Sequence, residues 1–366
     1  MSWNRKALPI TLLTLLMTAS CAMEPPTVAD HVVVDRDPII NGEPAPDPDY
    51  RAVGALVAPR RDGTWHNFCS GTLISETSVL TAEHCLIWFD FLAGYGLRPS
   101  FGIGYDSVTP DRTVEIVDYD IAPDGEHPGM FGYGRDVMIV HLARPIRDIT
   151  PIPVRGVDSS HIGQEFTIAG YGIRDTTGQD GLRYQGQTTM TAIGGRWFEL
   201  LFGDYDTYYD FFMTDAVYDG EKTPEAAQAW WDQYWLEPDY DALVQNQTDG
   251  TVACYGDSGG PLLGEVDGRT YVYGVSSGGE GSLENICDYG DVYAVLGPDT
   301  LTFVQRYRHW IDPCQLFGRR FDEIGECRLG GVAFRCSGLN EGPRRLISEN
   351  CRASGMTCVD DDGPVH

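Results

Sequence analysis

The stretch Gly256-Asp-Ser-Gly-Gly-Pro261 is the most informative one in this chain of 366 residues. A serine hydroxyl is a weak nucleophile at neutral pH, so a reactive serine needs a base and N–H donors for the oxyanion that its attack creates. Glycines on both sides of Ser258 allow a tight backbone turn that can direct N–H groups inward. An ordinary glycine-rich turn would have the same composition, so the prediction of a nucleophile depends on which residues accompany Ser258.

A candidate base lies in Thr81-Ala-Glu-His-Cys85, which follows the apolar run Ser78-Val-Leu-Thr81. Cys85 is a disulfide candidate and would hold His84 rigidly. A lone histidine is usually structural, and we interpret the following ones in that way: His66, His127, His141, His161 and His309.

A candidate acid opens the apolar run Arg135-Asp-Val-Met-Ile-Val140. An aspartate at that position is normally a strand-end turn or cap residue. Because Asp136 follows His84 and precedes Ser258 along the chain, it is instead a candidate partner of His84. A buried aspartate can hold the imidazole tautomer and stabilise the imidazolium formed during proton transfer.

These three motifs in this order resemble the trypsin/chymotrypsin family of serine proteases, over residues 39 to 312. The resemblance implies a serine endopeptidase on an all-β fold, a double six-stranded antiparallel β-barrel with the active site between the barrels and a C-terminal helix. His84, Asp136 and Ser258 would form the catalytic triad and act through an acyl-enzyme. The N–H groups of Gly256 and Ser258 would form the oxyanion hole.

The same resemblance implies two disulfides and an activation site. Phe68-Cys-Ser-Gly71 matches a strand whose cysteine would form the Cys69–Cys85 bridge, and a Cys254–Cys287 bridge would frame the specificity pocket. Ile39-Ile-Asn-Gly42 looks like the N-terminus exposed on activation, whose free amine would pair with Asp257. Cleavage there would follow Pro38, so we expect a protease other than a trypsin-like one to activate the zymogen.

The substrate-binding residues are also implied by the resemblance. Val275-Ser-Ser-Gly278 lies where the substrate-pairing strand is expected, which assigns Ser276 and Gly278 to substrate binding and puts Ser277 where a tryptophan usually forms the pocket wall. Tyr255, just before Gly256, should also contact the substrate.

The specificity pocket departs from the trypsin pattern. Val252, the sixth residue before Ser258, would form the pocket floor in place of an aspartate, whereas Asp291 would replace a glycine of the lining. A carboxylate there could pair with a substrate Arg or Lys. Alternatively, Asp291 shortens the pocket or lies outside it, and small or aliphatic residues are then preferred.

Patterns outside the motifs favour β structure. Short apolar runs separated by turn residues predict a β-barrel or sandwich. Residues 195 to 245 break this rhythm, with a helix predicted from Thr223 to Trp235, and the insertion could rim the cleft. A closing helix is predicted from Thr302 to Ile311, with Phe303, Val304, Tyr307 and Trp310 on one face.

The sequence near the two termini predicts an exported chain with a disulfide-bonded C-terminal tail. We predict a signal peptide at 1–21, a pro-segment at 22–38, the protease domain at 39–312 and a cysteine-rich tail at 313–366. Thr18-Ala-Ser-Cys21 also resembles a bacterial lipoprotein cleavage box, which would make this a bacterial-type member of the family. We predict plain secretion, with membrane attachment only through a lipid on Cys21 as the alternative.

Composition limits the partners. A net charge of −28 disfavours nucleic-acid binding, which needs a basic surface. Ten cysteines in an exported chain indicate disulfides, and no spacing forms a double CxxC zinc pattern. We therefore expect protein or peptide substrates and an activating protease as partners, with neither a metal nor a cofactor.

Two other functions remain as alternatives. A binding protein could retain this fold without catalysis, although such relatives usually lose a triad member. An esterase or lipase on another scaffold would share the Gly-x-Ser-x-Gly pattern of residues 256 to 260. In those enzymes the histidine follows the serine, and here His84 precedes it.

Overall fold

The computed structural model describes the following residues: 39–46, 50–123, 135–172, 181–214, 216, 220–245, 251–280, 287, 290–316, 319–320, 326–328, 332–337 and 343–350. The predicted signal peptide, pro-segment, Cys21 and His127 lie outside them.

Six strands form a closed antiparallel barrel, in the order β2-β3-β4-β7-β6-β5 with strands numbered along the chain. They are β2 (Val53–Pro59), β3 (Trp65–Ser75), β4 (Ser78–Thr81), β5 (Ser100–Ile103), β6 (Arg112–Ile121) and β7 (Met138–Leu142). Every residue of β4 and β7 is buried, which explains why both read as continuous apolar runs rather than alternating ones.

A second antiparallel barrel is formed in the order β9-β12-β15-β14-β13-β8, closed by pairing of β8 with β9 and extended by β1. Its strands are β1 (Glu43–Pro44), β8 (Glu165–Gly170), β9 (Tyr184–Ile193), β12 (Asp241–Gln245), β13 (Pro261–Val266), β14 (Arg269–Glu280) and β15 (Gly290–Val295). Buried residues alternate with less buried ones along β9, the period of a strand with one face in the core. The predicted double six-stranded antiparallel β-barrel is confirmed.

Helices connect and close the barrels. They are α1 (Ile87–Gly94), α2 (Trp197–Phe202), α3 (Tyr205–Thr214), α4 (Pro224–Gln233) and α5 (Pro298–Tyr307), with 3₁₀ turns at Glu83–Leu86 and Ser159–His161. The closing helix α5 begins earlier than predicted because Pro298 occupies its first turn. It ends at Tyr307, so Trp310 lies beyond it.

The insertion is a separate aromatic cluster beside the second barrel. Strands β10 (Gly195–Arg196) and β11 (Trp235–Leu236) pair, and helices α2 to α4 pack around buried Trp197, Tyr208 and Phe212. The predicted cap of α4 is present, since Thr223 Oγ1 accepts a hydrogen bond from the N–H of Ala226 at 3.1 Å. The insertion ends earlier than predicted, because Asp241 already begins a barrel strand.

The tail contains short strands and one disulfide among its described residues, Cys314–Cys336. The strands are β16 (Gln315–Leu316), β17 (Arg319–Arg320), β18 (Glu326–Arg328), β19 (Val332–Cys336) and β20 (Leu346–Asn350). Buried Asp118 of β6 accepts hydrogen bonds from the indole N–H of Trp310 at 2.9 Å and from the backbone N–H of Arg344 at 2.5 Å. The tail is thereby attached to the first barrel. Among the described residues, no helix combines the length and apolarity needed to span a bilayer.

Candidate active site

A cavity of about 720 Å³ lies between residues of the two barrels. Strand β3 of the first barrel and the segment between its strands β4 and β5 contribute the following lining residues: His66, Asn67, Phe68, Cys69, His84, Ile87 and Trp88. The second barrel contributes Ala253, Cys254, Tyr255, Gly256, Ser258, Ser276, Ser277, Gly278, Gly279, Cys287 and Asp291. The cavity therefore has one wall from each barrel, with His84 on the first and Ser258 on the second.

His84 and Asp136 form a tightly held pair. His84 lies in the 3₁₀ turn after β4, and its Nδ1 is 2.9 Å from Asp136 Oδ2. The backbone N–H of His84 donates to the other carboxylate oxygen at 2.9 Å. Asp136 is buried and has a φ of 31°, in the left-handed region that is costly for a side-chain-bearing residue. Two hydrogen bonds from one residue thus fix both the carboxylate and the ring.

Ser277 lines the cavity, in agreement with its expected place on the pocket wall. Its hydroxyl also donates a hydrogen bond to Asp136 Oδ2, a contact with the candidate triad that the sequence did not predict. The pairing of β14 with β15 is irregular between Ser276 and Gly278. A bulge of this kind changes which side chain faces which side, and nothing in a single sequence marks it.

The turn around Ser258 depends on glycine. Gly256 has a φ of 96°, and a Cβ there would lie 3.0 Å from the Cα of Gly172. The amides of Asp257, Gly259 and Gly260 donate to carbonyl groups within the chain. For the amides of Gly256 and Ser258, the structure shows no acceptor among the residues that it describes. These two N–H groups are therefore the ones in this turn that can serve a ligand.

Asp257 lies behind this turn, fully buried, and joins it to the segment that begins at Ile39. Its carboxylate accepts hydrogen bonds from the backbone N–H of Gly172 at 2.8 Å and of Cys254 at 3.0 Å, and also from the N–H of Ile39. Burial raises the pKa of Asp257 to about 6, and these three donors oppose that rise. Ile39 itself is buried, so the predicted activation residues do meet.

Val252 does not have the predicted place at the pocket floor. Its backbone pairs with that of Ile40, through hydrogen bonds of 2.9 and 3.3 Å. Its side chain is buried, and it is not among the described residues that line the cavity. Val252 therefore pairs with the segment that begins at Ile39 and does not line the pocket.

Asp291 of β15 lines the cavity and is almost completely buried. Its Oδ2 accepts a hydrogen bond from the N–H of Ala253 at 2.8 Å, and its Oδ1 would lie 3.1 Å from a Cβ placed on Gly279. Burial raises the pKa of Asp291 well above its ordinary value, and the charge of Asp257 adds to the rise. The carboxyl group therefore lies in the pocket, next to a position where only glycine leaves space.

The remaining predicted residues surround the same cavity. Tyr255 lines it with 60% of its surface exposed, and Ser276 and Gly278 line it from β14. The disulfides Cys69–Cys85 and Cys254–Cys287 are both present. None of the described residues of the insertion lines the cavity, so the expectation that it rims the cleft is not met there.

One cluster of metal-ligating residue types occurs at the site among the described residues. The sulfurs of Cys69 and Cys85 lie within 4.8 Å of a ring nitrogen of His84. Both sulfurs belong to a disulfide and lack the thiolate charge that binds metals. The cluster is therefore explained by the disulfide beside the histidine.

Five lining residues were not predicted from the sequence: Asn67, Ala253, Gly279, and Ile87 and Trp88 at the start of α1. His66, which we interpreted as structural, lines the cavity as well. The spacing of Ile87, Phe91 and Tyr95, four residues apart, was the available signal for an apolar helix face. It gives no indication of what that face meets.

Comparison with known proteins agrees with this geometry. A sequence profile of the family described as Trypsin matches residues 39–196 and 225–311, more than half of the chain. A "Fibrinolytic enzyme, isozyme C" of Lumbricus rubellus is 27% identical over 263 residues, which cover 70% of this chain and 92% of that protein. "Chymotrypsin-C" of Rattus norvegicus is 25% identical over 318 residues, covering 83% of this chain and 98% of that protein.

A third relative, "Phenoloxidase-activating factor 3" of Holotrichia diomphalia, is 23% identical over 293 residues, covering 75% of this chain and 71% of that protein. The profile match leaves out 197–224, which contains α2 and α3 of the aromatic insertion. The barrels, the two disulfides at the cavity and the matched spans all agree, and the chain therefore belongs to the trypsin family of serine proteases.

Proposed function

We propose that this chain is a serine endopeptidase in which Ser258 is the nucleophile, His84 the general base and Asp136 the residue that orients and stabilises His84. The observation that carries the proposal is the hydrogen bond of 2.9 Å between His84 Nδ1 and Asp136. It fixes the ring in a cavity that Ser258 also lines. With the Nδ1 proton held by the carboxylate, Nε2 is the nitrogen that can accept a proton.

The reaction would proceed in two halves. Ser258 Oγ attacks the peptide carbonyl carbon and gives its proton to His84, while the N–H groups of Gly256 and Ser258 stabilise the oxyanion. The C–N bond then breaks, the leaving amine takes the proton from His84, and an ester to Ser258 remains. Water then attacks the ester carbon and gives a proton to His84; the bond between that carbon and Ser258 Oγ breaks, and His84 returns the proton to Ser258 Oγ, which releases the carboxylic acid product.

Asp291 would set the preference for the residue before the cleaved bond. A carboxyl group in the cavity pairs well with a substrate guanidinium or ammonium, which would stabilise its charged form. Cleavage after Arg or Lys follows if that pairing is made. If Asp291 stays neutral, it only shortens the pocket, and small or aliphatic residues are preferred instead.

Activation would follow cleavage between Pro38 and Ile39. The N–H of Ile39 already hydrogen-bonds to Asp257, and a free ammonium at that place would pair with the carboxylate and stabilise its charged form. The turn that carries Gly256 and Ser258 would then be held by an ion pair. Because Pro38 precedes the bond, the activating protease would not be trypsin-like. A relative named as an activating factor supports proteins as substrates of such chains.

The domain organisation remains the one predicted from the sequence: a signal peptide at 1–21, a pro-segment at 22–38, the protease domain at 39–312 and a tail at 313–366. We propose that the protein is secreted. A lipid on Cys21 and a bacterial-type origin also stay predictions, and the relatives named above, all from animals, do not support the bacterial type.

The test is amidase activity of purified protein that starts at Ile39. Peptide substrates ending in Arg, Lys, Leu, Ala and Phe are compared in the parent, a Ser258→Ala variant and an Asp291→Asn variant. We expect turnover that Ser258→Ala abolishes, and a preference for Arg and Lys that Asp291→Asn reduces by about a hundredfold, the size of a lost buried ion pair. An absence of turnover with a confirmed Ile39 terminus would instead indicate a silent binding protein.

A further inference from the structure

The surface next to the cavity carries an exposed apolar strip. Among the described residues, eight large apolar side chains are exposed, and four of them lie between Ile87 and Leu97. Ile87, Phe91 and Tyr95 are 71%, 54% and 70% exposed. They are four residues apart, so they lie along the same face of α1 and its C-terminal turn. We call these three residues the α1 strip.

The core of the first barrel does not account for this strip. Phe89 and Leu92, on the other side of α1, are buried in that core. An amphipathic surface helix would have polar residues opposite its buried face. The exposed side of this helix carries one charged residue, Asp90, beside the large apolar ones, and contiguous exposed apolar surface usually marks a binding site.

The strip is continuous with the wall of the cavity. Ile87 and Trp88 line the same cavity as His84 and Ser258. The ring of Trp88 contacts that of Phe91 edge-on at 5.8 Å, and Phe91 contacts Tyr95 at 5.1 Å. An apolar surface therefore runs outward from the cavity along the whole helix.

Resting on the proposed function, we propose that the α1 strip binds apolar side chains of the polypeptide substrate on the leaving-group side of the cleaved bond. The side chain before the bond is assigned to the second-barrel wall, where Asp291 and Gly279 lie. The leaving amine must take its proton from His84, on the first-barrel wall. The strip begins at Ile87, three residues after His84, so the chain that continues from this amine meets the strip first.

Charge disfavours the other occupants of such a strip. The chain has a net charge of −28, which repels a second copy and an anionic membrane surface. A substrate segment with uncharged apolar residues does not meet this repulsion.

The experiment uses the protein starting at Ile39 and two internally quenched peptides. The peptides are identical up to the cleaved bond and carry either Phe-Leu or Ser-Ser at the second and third positions after it. We expect kcat/KM for the Phe-Leu peptide to exceed that for the Ser-Ser peptide by about tenfold. The double variant Phe91→Ser, Tyr95→Ser should bring this ratio close to one.

Ile311→Ser provides the matched control, since Ile311 is 84% exposed and does not line the cavity. It should keep the tenfold ratio. Equal cleavage of both peptides by the parent, or the same loss of preference in the control, would overturn the inference. A peptidyl anilide, with no residue after the cleaved bond, separates the two proposals: if the parent does not cleave it, the proposed function itself fails.

Two further readings identify a different occupant. Sedimentation could reveal a dimer of the parent that the double variant dissociates, and flotation with phosphatidylcholine vesicles could reveal binding that the double variant loses. Either result would assign the α1 strip to a second copy or to a membrane and overturn the proposal. A monomer that does not bind vesicles supports it.

Discussion

Two histidine–aspartate pairs in the first barrel have nearly the same geometry and different surroundings. His84 Nδ1 lies 2.9 Å from Asp136, and His141 Nε2 lies 2.8 Å from Asp120. His141 even has a serine, since its Nδ1 is 3.1 Å from the hydroxyl of Ser78. Residue types and distances alone would therefore suggest two candidate sites.

The two histidine–aspartate pairs differ in their exposure to solvent and substrate. The side chain of His141 is fully buried, and its ring stacks on Trp310 with centroids 5.1 Å apart and planes 7° from parallel. Both of its ring nitrogens are hydrogen-bonded within the protein. The side chain of His84 is 19% exposed and faces the cavity that Ser258 lines. Of the two pairs, only His84–Asp136 is accessible to a substrate. The same hydrogen bonding therefore stabilises the fold at His141 and, as we propose, supports catalysis at His84.

The largest expected effect is on activity. Asp136→Asn should lower kcat/KM by about ten-thousandfold, because an amide holds the wrong imidazole tautomer and does not stabilise the imidazolium. Asp120→Asn should change kcat/KM by less than about threefold, since His141 does not meet the substrate. Steady-state kinetics on one peptide anilide measure both. Similar losses in the two variants would show that access is not what separates the pairs.

The second effect is on stability and has the opposite order. His141→Ala should lower the free energy of unfolding by about 3 to 5 kcal/mol, since it leaves a buried cavity and removes the partners of Asp120 and Ser78. His84→Ala should cost about 1 kcal/mol, because Asp136 keeps a backbone N–H and the hydroxyl of Ser277. Urea unfolding in a Ser258→Ala background, which prevents self-digestion, measures both. A larger loss at His84 would contradict the structural role of His141.

The third effect concerns Asp241, a buried carboxyl group close enough to Asp136 to feel its charge. Burial raises the pKa of Asp241 to about 7, and the charges of Glu237 and Asp136 add to the rise. In the unfolded chain the Asp241 carboxyl group ionises near pH 4, whereas in the folded protein it stays protonated up to about pH 7. The free energy of unfolding should therefore fall as the pH rises from about 4 to about 7.

Asp241→Asn should flatten this dependence by roughly 2 to 4 kcal/mol across that interval, as a shift of about three pKa units requires. The amide oxygen can still accept the hydrogen bond from Glu237 N–H, which is 2.9 Å long in the parent. The exposed Asp239→Asn variant is the control and should leave the slope unchanged. Urea titrations at pH 4, 5.5 and 7 test this, and an unchanged slope in Asp241→Asn would count against a buried neutral acid there.

The sequence was sufficient for the barrels and for the residues named by local motifs. His84, Asp136 and Ser258 each lie in a short stretch whose spacing is informative, and the burial of His141 agrees with its structural interpretation. The hydrogen bond of Ser277 to Asp136 and the place of Val252 outside the cavity lining were not predicted, because one irregularity in β14 and one pairing with Ile40 decide where these side chains lie. Such facts depend on contacts between distant segments, which no local pattern specifies.

The exposure of α1 could not be predicted for a related reason. The periodicity of Ile87, Phe91 and Tyr95 predicts an apolar face, and most such faces are buried. Whether another segment covers that face is a property of the whole fold. Asp291 is intermediate: the resemblance indicated its place in the pocket, but not the hydrogen bond from Ala253 that holds it there.

The smallest expected effect compares the serine hydroxyls that bond to the two pairs. Ser277 donates to Asp136, whereas Ser78 bonds to His141. Ser277→Ala should lower kcat/KM by about tenfold, because one hydrogen bond that orients the carboxylate of the accessible pair is lost. Ser78→Ala should lower the free energy of unfolding by about 1 kcal/mol and leave kcat/KM within about twofold.

Each variant removes one oxygen atom beside a histidine–aspartate pair: the partner of the aspartate in the accessible pair, and the partner of the histidine in the buried pair. Measuring kcat/KM and urea unfolding for both variants gives a two-by-two comparison. The expected result is a loss of activity with little loss of stability in one variant and the reverse in the other. If Ser277→Ala loses stability rather than activity, Ser277 only fills space behind Asp136, and the positioning of the carboxylate must come from the two hydrogen bonds of His84 alone.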